Sequence, residues 1–254
     1  MKLFDTHAHL LSDKFEEDRS ALIAALPGRG LTGVIEVGTD IEYSQRAVQL
    51  AAEEDYIYAA VGVHPHDAGE APEDYLDTLK QLAKHPKVVA LGEVGLDYYY
   101  DFSPRDVQLK TFERQLDLAK RLGLPVIVHM RDATQDALAL LREHKGVRGV
   151  MHCFSGSVET AEECVGMGLH VSFTGSVTFK NARKVVEAAA AVPLDRLMAE
   201  TDCPYLSPEP VRGRRNDPSN VRYVIERLAQ IKGVSFDEMC ETNIKNAKGL
   251  FGIQ

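Results

Sequence analysis

Histidine, glutamate and aspartate recur at widely separated positions of this 254-residue chain, each at the end of a short apolar run. Imidazole nitrogens and carboxylate oxygens are the ligands with which proteins hold zinc, manganese and similar divalent ions. A bound ion with an open coordination position can activate water for hydrolysis. The sequence therefore predicts a hydrolytic metal centre. Six residues are its predicted ligands: His7, His9, Glu93, His129, His152 and Asp202.

The spacing of His7 and His9 is the most local part of this pattern. Side chains alternate between the two faces of a strand, so residues two apart point the same way. A carboxylate can bridge two ions, whereas a histidine usually binds one, and Glu93 is therefore the predicted bridge between two divalent ions (Mg, Zn or Mn). We expect one ion on His7, His9 and Asp202 and the other on His129 and His152.

Two carboxylates in this set are predicted to be catalytic, Glu93 as the bridge and Asp202 as a proton carrier. Asp202 would take the proton of the attacking water and later deliver it to the leaving group. His64 is a candidate ligand for a third ion or a phosphate, or it stabilises its loop with Pro65. Glu200 is a candidate for the same role, or for a carboxylate that orients a ligand histidine.

Other histidines and cysteines are predicted to lie outside the chemistry. Cys153 and Cys203 directly follow ligand positions, so strand alternation points them away from the metals, as buried and inert thiols. We expect no catalytic role for four histidines: His66, His85, His144 and His170.

Positioning these ligands requires elements that bring distant residues together. Eight short apolar runs alternate with amphipathic helical stretches, which predicts parallel strands with helical crossovers. An α/β protein of this length with eight such units is predicted to be a single (β/α)8 TIM-type barrel over residues 1–254, with its active site at the carboxyl ends of the strands. A doubly wound open sheet is the alternative. The predicted strands are 2–6, 33–38, 57–63, 87–93, 125–129, 148–152, 169–174 and 196–202.

Composition limits the partners of the chain. Its formal charge of −9 argues against broad electrostatic capture of duplex DNA, although a nucleic acid can still enter a locally positive site. Apolar runs are of strand length, which predicts no membrane span. Four cysteines without a CxxC pair predict a reduced, cytoplasmic protein. No obligate protein partner is evident.

Several motifs together resemble the TatD family of metal-dependent deoxyribonucleases, within the amidohydrolase superfamily. They are DTHAHL, GVHPH, GEVGLDYYYD, LPVIVHMRDA, HCFSG and ETDCPYLSPEPVRGRRNDPSNV, in order between residues 4 and 251. The resemblance implies the same six metal ligands, a magnesium requirement, and hydrolysis of DNA phosphodiesters, often from the 3′ end of single strands. It also favours phosphate binding by three arginines that would otherwise form a solvated turn: Arg212, Arg214 and Arg215.

Aromatic residues near the predicted mouth have two interpretations. One or two of them could stack a terminal base, or they could pack as core and loop residues. The residues concerned are Tyr98, Tyr99, Phe102 and Tyr205.

Two other functions remain open at the level of sequence. The same metal centre could attack a carbonyl carbon in an amide, lactone or acyl ester, as in family members described as deacylases of D-aminoacyl-tRNA-like esters. A metal-binding scaffold without turnover is the second, but the intact ligand set argues against it.

Overall fold

Eight parallel strands form one sheet in which each strand pairs with its neighbour in sequence, from β1 to β8. The structure is a computed structural model that describes residues 2–254. Helices connect the strands, so the predicted (β/α)8 TIM-type barrel is confirmed. The strands are β1 (Leu3–Ala8), β2 (Leu31–Val37), β3 (Ile57–Val61), β4 (Val88–Asp97), β5 (Val126–Arg131), β6 (Gly149–Met151), β7 (His170–Phe173) and β8 (Leu197–Ala199).

Nine α-helices are found in residues 2–254, close to the stretches with helical periodicity. No helix in that range is both long and apolar enough to cross a bilayer. The helices are α1 (Arg19–Ala25), α2 (Ile41–Glu53), α3 (Tyr75–Leu82), α4 (Arg105–Leu122), α5 (Thr134–Glu143), α6 (Val158–Gly166), α7 (Arg183–Ala191), α8 (Val221–Lys232) and α9 (Phe236–Phe251).

Helix α4 shows how the sequence determines these elements. Phe112, Leu116 and Ala119 recur at helical spacing, and all three are fully buried. Gly123 ends the helix with a φ of 70°, a left-handed conformation that glycine adopts without steric cost. Burial of one helical stripe against the barrel therefore holds the outer layer in place.

The seam between β1 and β8 is closed mainly near the mouth of the barrel. There Asp202 N–H donates to the carbonyl of His7 at 2.9 Å, and His9 N–H donates to the carbonyl of Cys203 at 2.9 Å. Deeper in the barrel, the buried amide of Asn243 on α9 donates to the Phe4 carbonyl and accepts from Ala199 N–H. The closed seam brings the last predicted ligand, Asp202, beside the first two.

The largest differences from the predicted strand ends are at β4 and β8, whereas the other six ends differ by one or two residues. β4 continues to Asp97, four residues past Glu93, because Val94 and Leu96 are buried within the same barrel wall. β8 ends at Ala199, so Glu200 and Asp202 lie on the segment that follows the strand rather than on the strand itself. Both differences fall at the mouth, where side chains are placed by loop geometry as well as by strand alternation.

Candidate metal centre

The first group of predicted ligands meets where β1 and the segment after β8 run side by side. His7 Nε2 and His9 Nε2 lie 3.1 Å apart. Asp202 Oδ1 is 3.5 Å from His9 Nε2, and Glu93 Oε2 is 3.3 Å from His7 Nε2. All four side chains are at least four-fifths buried. Three imidazole or carboxylate groups therefore face one small volume, with one oxygen of Glu93 at its edge.

The second group surrounds the other oxygen of Glu93. Oε1 is 2.7 Å from His129 Nδ1, 3.1 Å from His152 Nε2 and 3.5 Å from His64 Nε2. Because Oε2 faces His7 and His9, the two oxygens of one carboxylate face two different sets of histidines. This is the arrangement that a bridging carboxylate requires, and the division of the ligands between two ions stays a prediction.

Hydrogen bonds at the far ring nitrogen set the tautomer of three of these histidines. His9 Nδ1 lies 3.0 Å from the Val37 carbonyl, so in the neutral ring this nitrogen carries the proton and Nε2 keeps its lone pair. His152 Nδ1 likewise lies 2.9 Å from Glu200, and His129 Nε2 lies 3.0 Å from Asp97. In each ring the nitrogen that faces Glu93 or Asp202 is thus free to bind a cation.

His64 differs from the other three. Its Nδ1 accepts the backbone N–H of His66 at 3.1 Å, so the proton of the neutral ring lies on Nε2 and points towards Glu93. Burial lowers the pKa of His64 to about 4, which keeps the ring neutral at physiological pH. Its geometry therefore suits a hydrogen-bond donor in this site better than a metal ligand.

The electrostatics of the cluster are dominated by burial and by the opposition of carboxylates and imidazoles. Burial raises the pKa of Glu93, but His152, His64 and His129 outweigh it and hold that pKa well below its usual range. Burial lowers the pKa of His9, but Asp202, Glu93 and Glu36 outweigh it and raise that pKa to about 9. Glu93 is thus an anion at neutral pH, available to a cation at both of its oxygens.

The donor set fits two divalent ions. The Nε2 atoms of His7 and His9 lie 3.1 Å apart, and two unprotonated imidazole nitrogens cannot hydrogen-bond to each other. A cation between them is bound by both lone pairs. Ligand atoms within 4.8 Å of one another occur in overlapping sets that share Glu93 or His7: His7, Glu93 and His152; His7, His9 and Asp202; His64, Glu93 and His129.

Comparison with known proteins agrees with this geometry. The family model described as TatD related DNase matches residues 4–252. The chain belongs to the TatD family. It is 47% identical to the uncharacterized metal-dependent hydrolase YabD of Bacillus subtilis, with 99% of each chain covered. It is 34% identical to the 3′-5′ ssDNA/RNA exonuclease TatD of Erwinia amylovora, over 99% of this chain and 100% of that one.

A solved structure shows the same TatD-family barrel. The TatD homologue YjjV from Escherichia coli K12 superposes with a TM-score of 0.93 at 31% identity, covering 99% of this chain and 98% of that one. Family membership makes this chain a metal-dependent hydrolase, which was the expectation from its ligand pattern. The alternative of a scaffold without turnover is not supported.

Asp97 is a residue of this TatD-family site that sequence reasoning missed. Its carboxylate Oδ2 lies 3.0 Å from His129 Nε2 and 2.9 Å from His66 Nε2. The expectation that His66 stands apart from the site is therefore wrong, because its ring is hydrogen-bonded to the partner of a predicted ligand. The signal in the sequence was the apolar pair Val94 and Leu96, which continues the strand pattern beyond Glu93.

The prediction that Cys153 points away from the metals is also wrong. β6 ends at Met151, and Cys153 has a φ of 46°, so strand alternation no longer determines its direction. Its sulfur lies within 4.8 Å of ligand atoms of His152 and Asp202. Burial raises the pKa of the Cys153 thiol to about 12, so it is protonated and unreactive as a nucleophile.

Glu200 lies where a carboxylate that orients a histidine must lie. Its Oε1 accepts from the backbone N–H of Cys153 at 2.6 Å and from His152 Nδ1 at 2.9 Å. The geometry favours this role over direct binding of a third ion. The remaining predicted bystanders have other surroundings: His144 bonds the Leu140 carbonyl, His85 accepts from Lys87 N–H, and His170 begins β7 at the opposite end of the barrel.

The three arginines after β8 have different surroundings. Arg215 forms a two-point ion pair with Asp18, at 2.7 and 2.6 Å, and stacks over Phe15, which favours a structural role. Arg212 lies 4.1 Å above the ring of Phe179 and 3.6 Å from Glu209. Arg214 is exposed, and its backbone carbonyl accepts from Ser207. Phosphate binding therefore stays a prediction for Arg212 and Arg214, and the contacts of Arg215 argue against it there.

Proposed function

We propose that this protein is an exonuclease that removes nucleotides from the 3′ ends of single-stranded DNA with two divalent ions bridged by Glu93. The observation that carries the proposal is the pair of ligand groups on the two oxygens of that one carboxylate. Two-ion sites suit phosphodiester hydrolysis because both the attacking and the leaving oxygen carry negative charge. The relative named 3′-5′ ssDNA/RNA exonuclease supports nucleic acid as the substrate.

In this proposal, each residue at the site has a part in binding the ions or moving a proton. Bound divalent ions would supply positive charge to the phosphate oxygens and lower the pKa of a water molecule. Asp202 Oδ1 faces His9, which leaves Oδ2 as the oxygen that accepts a proton from the attacking water. The Asp202 side chain is 15% exposed, so that proton can be returned to the leaving oxygen at the mouth. His64 Nε2–H points towards Glu93 Oε1, 3.5 Å away.

Preorganisation is what the protein itself adds to this chemistry. Glu200, Asp97 and the Val37 carbonyl fix the rings of three histidines, as shown by their hydrogen bonds. Fixed donors and acceptors stabilise developing charge without reorganising during the reaction. The site is thus held in position before a substrate arrives.

The test compares 3′-labelled and 5′-labelled single-stranded oligonucleotides, a duplex of the same sequence, and a D-aminoacyl ester. We expect progressive shortening of the single strands from the 3′ end in Mg²⁺, Mn²⁺ or Zn²⁺, and little turnover of the other two substrates. Faster turnover of the acyl ester than of any oligonucleotide would overturn the proposal and favour a carbonyl substrate.

Glu93→Gln tests the bridge directly. The substitution keeps the size of the side chain but removes the charge shared by two ions, so we expect metal content to fall below two per chain and cleavage to fall by about 100-fold or more. Glu162→Gln, an equal charge change at an exposed position on α6, is the matched control. A Glu93→Gln protein that keeps two metals and full cleavage would show that the bridge is misassigned.

A further inference from the structure

The exposed large aromatic side chains of this protein are concentrated at one end of the barrel. Among residues 2–254, the large hydrophobic side chains that are exposed are Tyr99 (58%), Tyr100 (47%), Phe102 (68%) and Tyr205 (49%). The first three follow β4 and the last follows β8, so all lie at the mouth that contains the metal centre. Contiguous exposed apolar surface of this kind marks a binding site more often than a packing defect.

Tyr99, Tyr100 and Phe102 form one continuous surface, called here the aromatic surface. The ring centroids of Tyr100 and Phe102 are 5.3 Å apart with 30° between their planes. Tyr99 packs edge-on against Tyr100 at 4.9 Å. His66 lies beneath, 4.8 Å from Phe102 and 5.3 Å from Tyr100. The rings thus support one another while their outer faces remain in solvent.

Arg131 supplies a positive charge beside the aromatic surface. Its guanidinium lies 4.0 Å from the ring centroid of Tyr99 and 4.8 Å from that of Tyr100. Within the described part of the chain, Arg131 forms no ion pair with a carboxylate. Arg105, which also lies at the mouth, pairs with Asp101. In a protein of charge −9, a guanidinium held on aromatic rings without an acidic partner is available to an anion.

One carboxylate fixes this surface relative to the metal centre. Asp97 Oδ1 accepts from the backbone N–H groups of Tyr99 and Tyr100, at 3.0 and 2.9 Å. Its Oδ2 bonds His66 and His129. The loop that carries the rings and a predicted metal ligand are therefore joined through a single side chain, and a molecule bound on the rings is placed at a set distance from the ions.

We propose that the aromatic surface and Arg131 form a base-binding subsite, on which one or two unpaired bases near the scissile phosphodiester stack while Arg131 contacts a neighbouring phosphate. This inference rests on the proposed nuclease function and names the part of the substrate that the mouth recognises. Every base has a stacking face, so the subsite tolerates sequence but requires bases that are not paired in a duplex. It selects single-stranded ends.

The experiment compares two oligothymidylates in the metal-loaded enzyme, one intact and one abasic at its two 3′-terminal nucleotides. We expect KM to be about 10- to 100-fold lower for the intact strand, the effect typical of base stacking. Combined substitution Tyr99→Ala, Tyr100→Ala and Phe102→Ala should raise KM for the intact strand until the two substrates become equal. Far-ultraviolet circular dichroism and metal content show whether the variant is folded and loaded.

Two matched controls lie at the opposite end of the barrel. Tyr58→Leu removes an aromatic ring that carries Lys87 at 4.8 Å, and it should leave the discrimination between the two strands intact. Arg131→Gln should raise KM for both strands and flatten the salt dependence of KM, whereas Arg121→Gln, at the exposed end of α4, should change neither. Phe102→Leu, a single change at the most exposed ring, should weaken the discrimination by several-fold.

The outcomes separate this inference from the function on which it rests. If the wild-type enzyme cleaves neither strand with any metal, the nuclease proposal fails. If it cleaves both strands with equal KM, or if the folded, metal-loaded triple variant keeps the wild-type preference, the base-binding subsite is overturned. A dimer in sedimentation experiments that the triple substitution dissociates would show that a second copy covers the rings, which would also overturn it.

Discussion

The imidazole of His129 and the carboxylate of Asp97 are joined by a hydrogen bond of 3.0 Å between Nε2 and Oδ2. This bond leaves Nδ1 of the same ring 2.7 Å from Oε1 of Glu93. A single buried carboxylate thus determines which nitrogen of a predicted ligand faces the ions. The hydrogen bonds from His129, Tyr100 and His66 outweigh the effect of burial and hold the pKa of Asp97 well below its ordinary value.

Asp97→Asn should weaken metal binding without dismantling the loop. An amide oxygen can still accept from the N–H groups of Tyr99 and Tyr100, but the other half of the group no longer accepts from His129. Loss of such an orienting carboxylate typically costs about 10- to 100-fold in metal affinity. Isothermal titration of the metal-free protein measures this loss.

The control for Asp97 is Asp136→Asn, which removes the same charge from the exposed carboxylate that accepts from the Tyr98 hydroxyl. This variant should bind metal as the wild type does. Equal loss of affinity in the two variants would attribute the effect to net charge at the mouth, and unchanged affinity in Asp97→Asn would refute the orienting role.

Two substitutions of Glu200 test, in two steps, whether this residue orients His152. Because Oε1 accepts both from His152 Nδ1 and from Cys153 N–H, Glu200→Gln can keep these contacts through its carbonyl oxygen, whereas Glu200→Ala cannot. We expect metal affinity to fall by less than about 10-fold in the first variant and by up to about 100-fold in the second. Equal affinities in the two variants would show that the hydrogen bonds to Oε1 do not orient His152.

The parts of the site that the sequence predicted are those that depend on strand periodicity. His7 and His9 share a face because both lie on or directly after β1, and His129 lies within β5. Glu93 was predicted to be a ligand and lies among the predicted ligand histidines, although β4 was expected to end there. The barrel itself followed from eight alternations of strand and helix, a pattern that few folds of this length accommodate.

The parts that the sequence did not predict depend on backbone conformation outside regular strands. Cys153 has a φ value of 46°, and this turns its side chain in a direction that alternation does not give. The fourth strand was expected to end at Glu93 because this residue is charged. β4 instead continues to Asp97, and Asp97 was therefore missed. Positive φ at a residue other than glycine leaves no clear pattern in a single sequence.

Gly95 leads to a further prediction, because it faces the backbone of His129, a predicted metal ligand. It pairs with His129 across β4 and β5, its φ is 144°, and a Cβ atom placed there would lie 2.0 Å from the His129 carbonyl oxygen. Gly95→Ala should therefore lower the free energy of unfolding by about 3 kcal/mol through strain and overpacking. It should also reduce metal content, because relief of the clash displaces His129.

Gly166→Ala is the matched control for Gly95. Gly166 ends α6, and a Cβ atom placed there meets nothing within 4 Å. Alanine in a helix should raise the free energy of unfolding by up to about 1 kcal/mol. Urea denaturation of both variants measures these changes, and similar values for the two would contradict the close approach at Gly95.

The buried imidazole of His170, far from the candidate metal centre, should make the free energy of unfolding depend on pH. It is 8% exposed at the start of β7, its Nδ1 has no hydrogen-bond partner in the described chain, and burial, together with the nearby positive charge of Arg196, lowers its pKa to about 4. The unfolded chain binds a proton at His170 below a pH of about 6.5, whereas the folded chain does so only near pH 4. This contribution to stability is therefore full above pH 6.5 and is lost as the pH falls towards 4.

His170→Gln should remove that contribution, because glutamine does not titrate. Between pH 7 and pH 4.5, the free energy of unfolding of the wild type should fall by on the order of 2 kcal/mol more than that of the variant. Urea denaturation of metal-free protein at a series of pH values measures the difference without the titration of bound metal. Parallel curves for the two proteins would mean that His170 takes up its proton in the folded barrel as readily as in the unfolded chain, and that burial at the start of β7 does not exclude the charged ring.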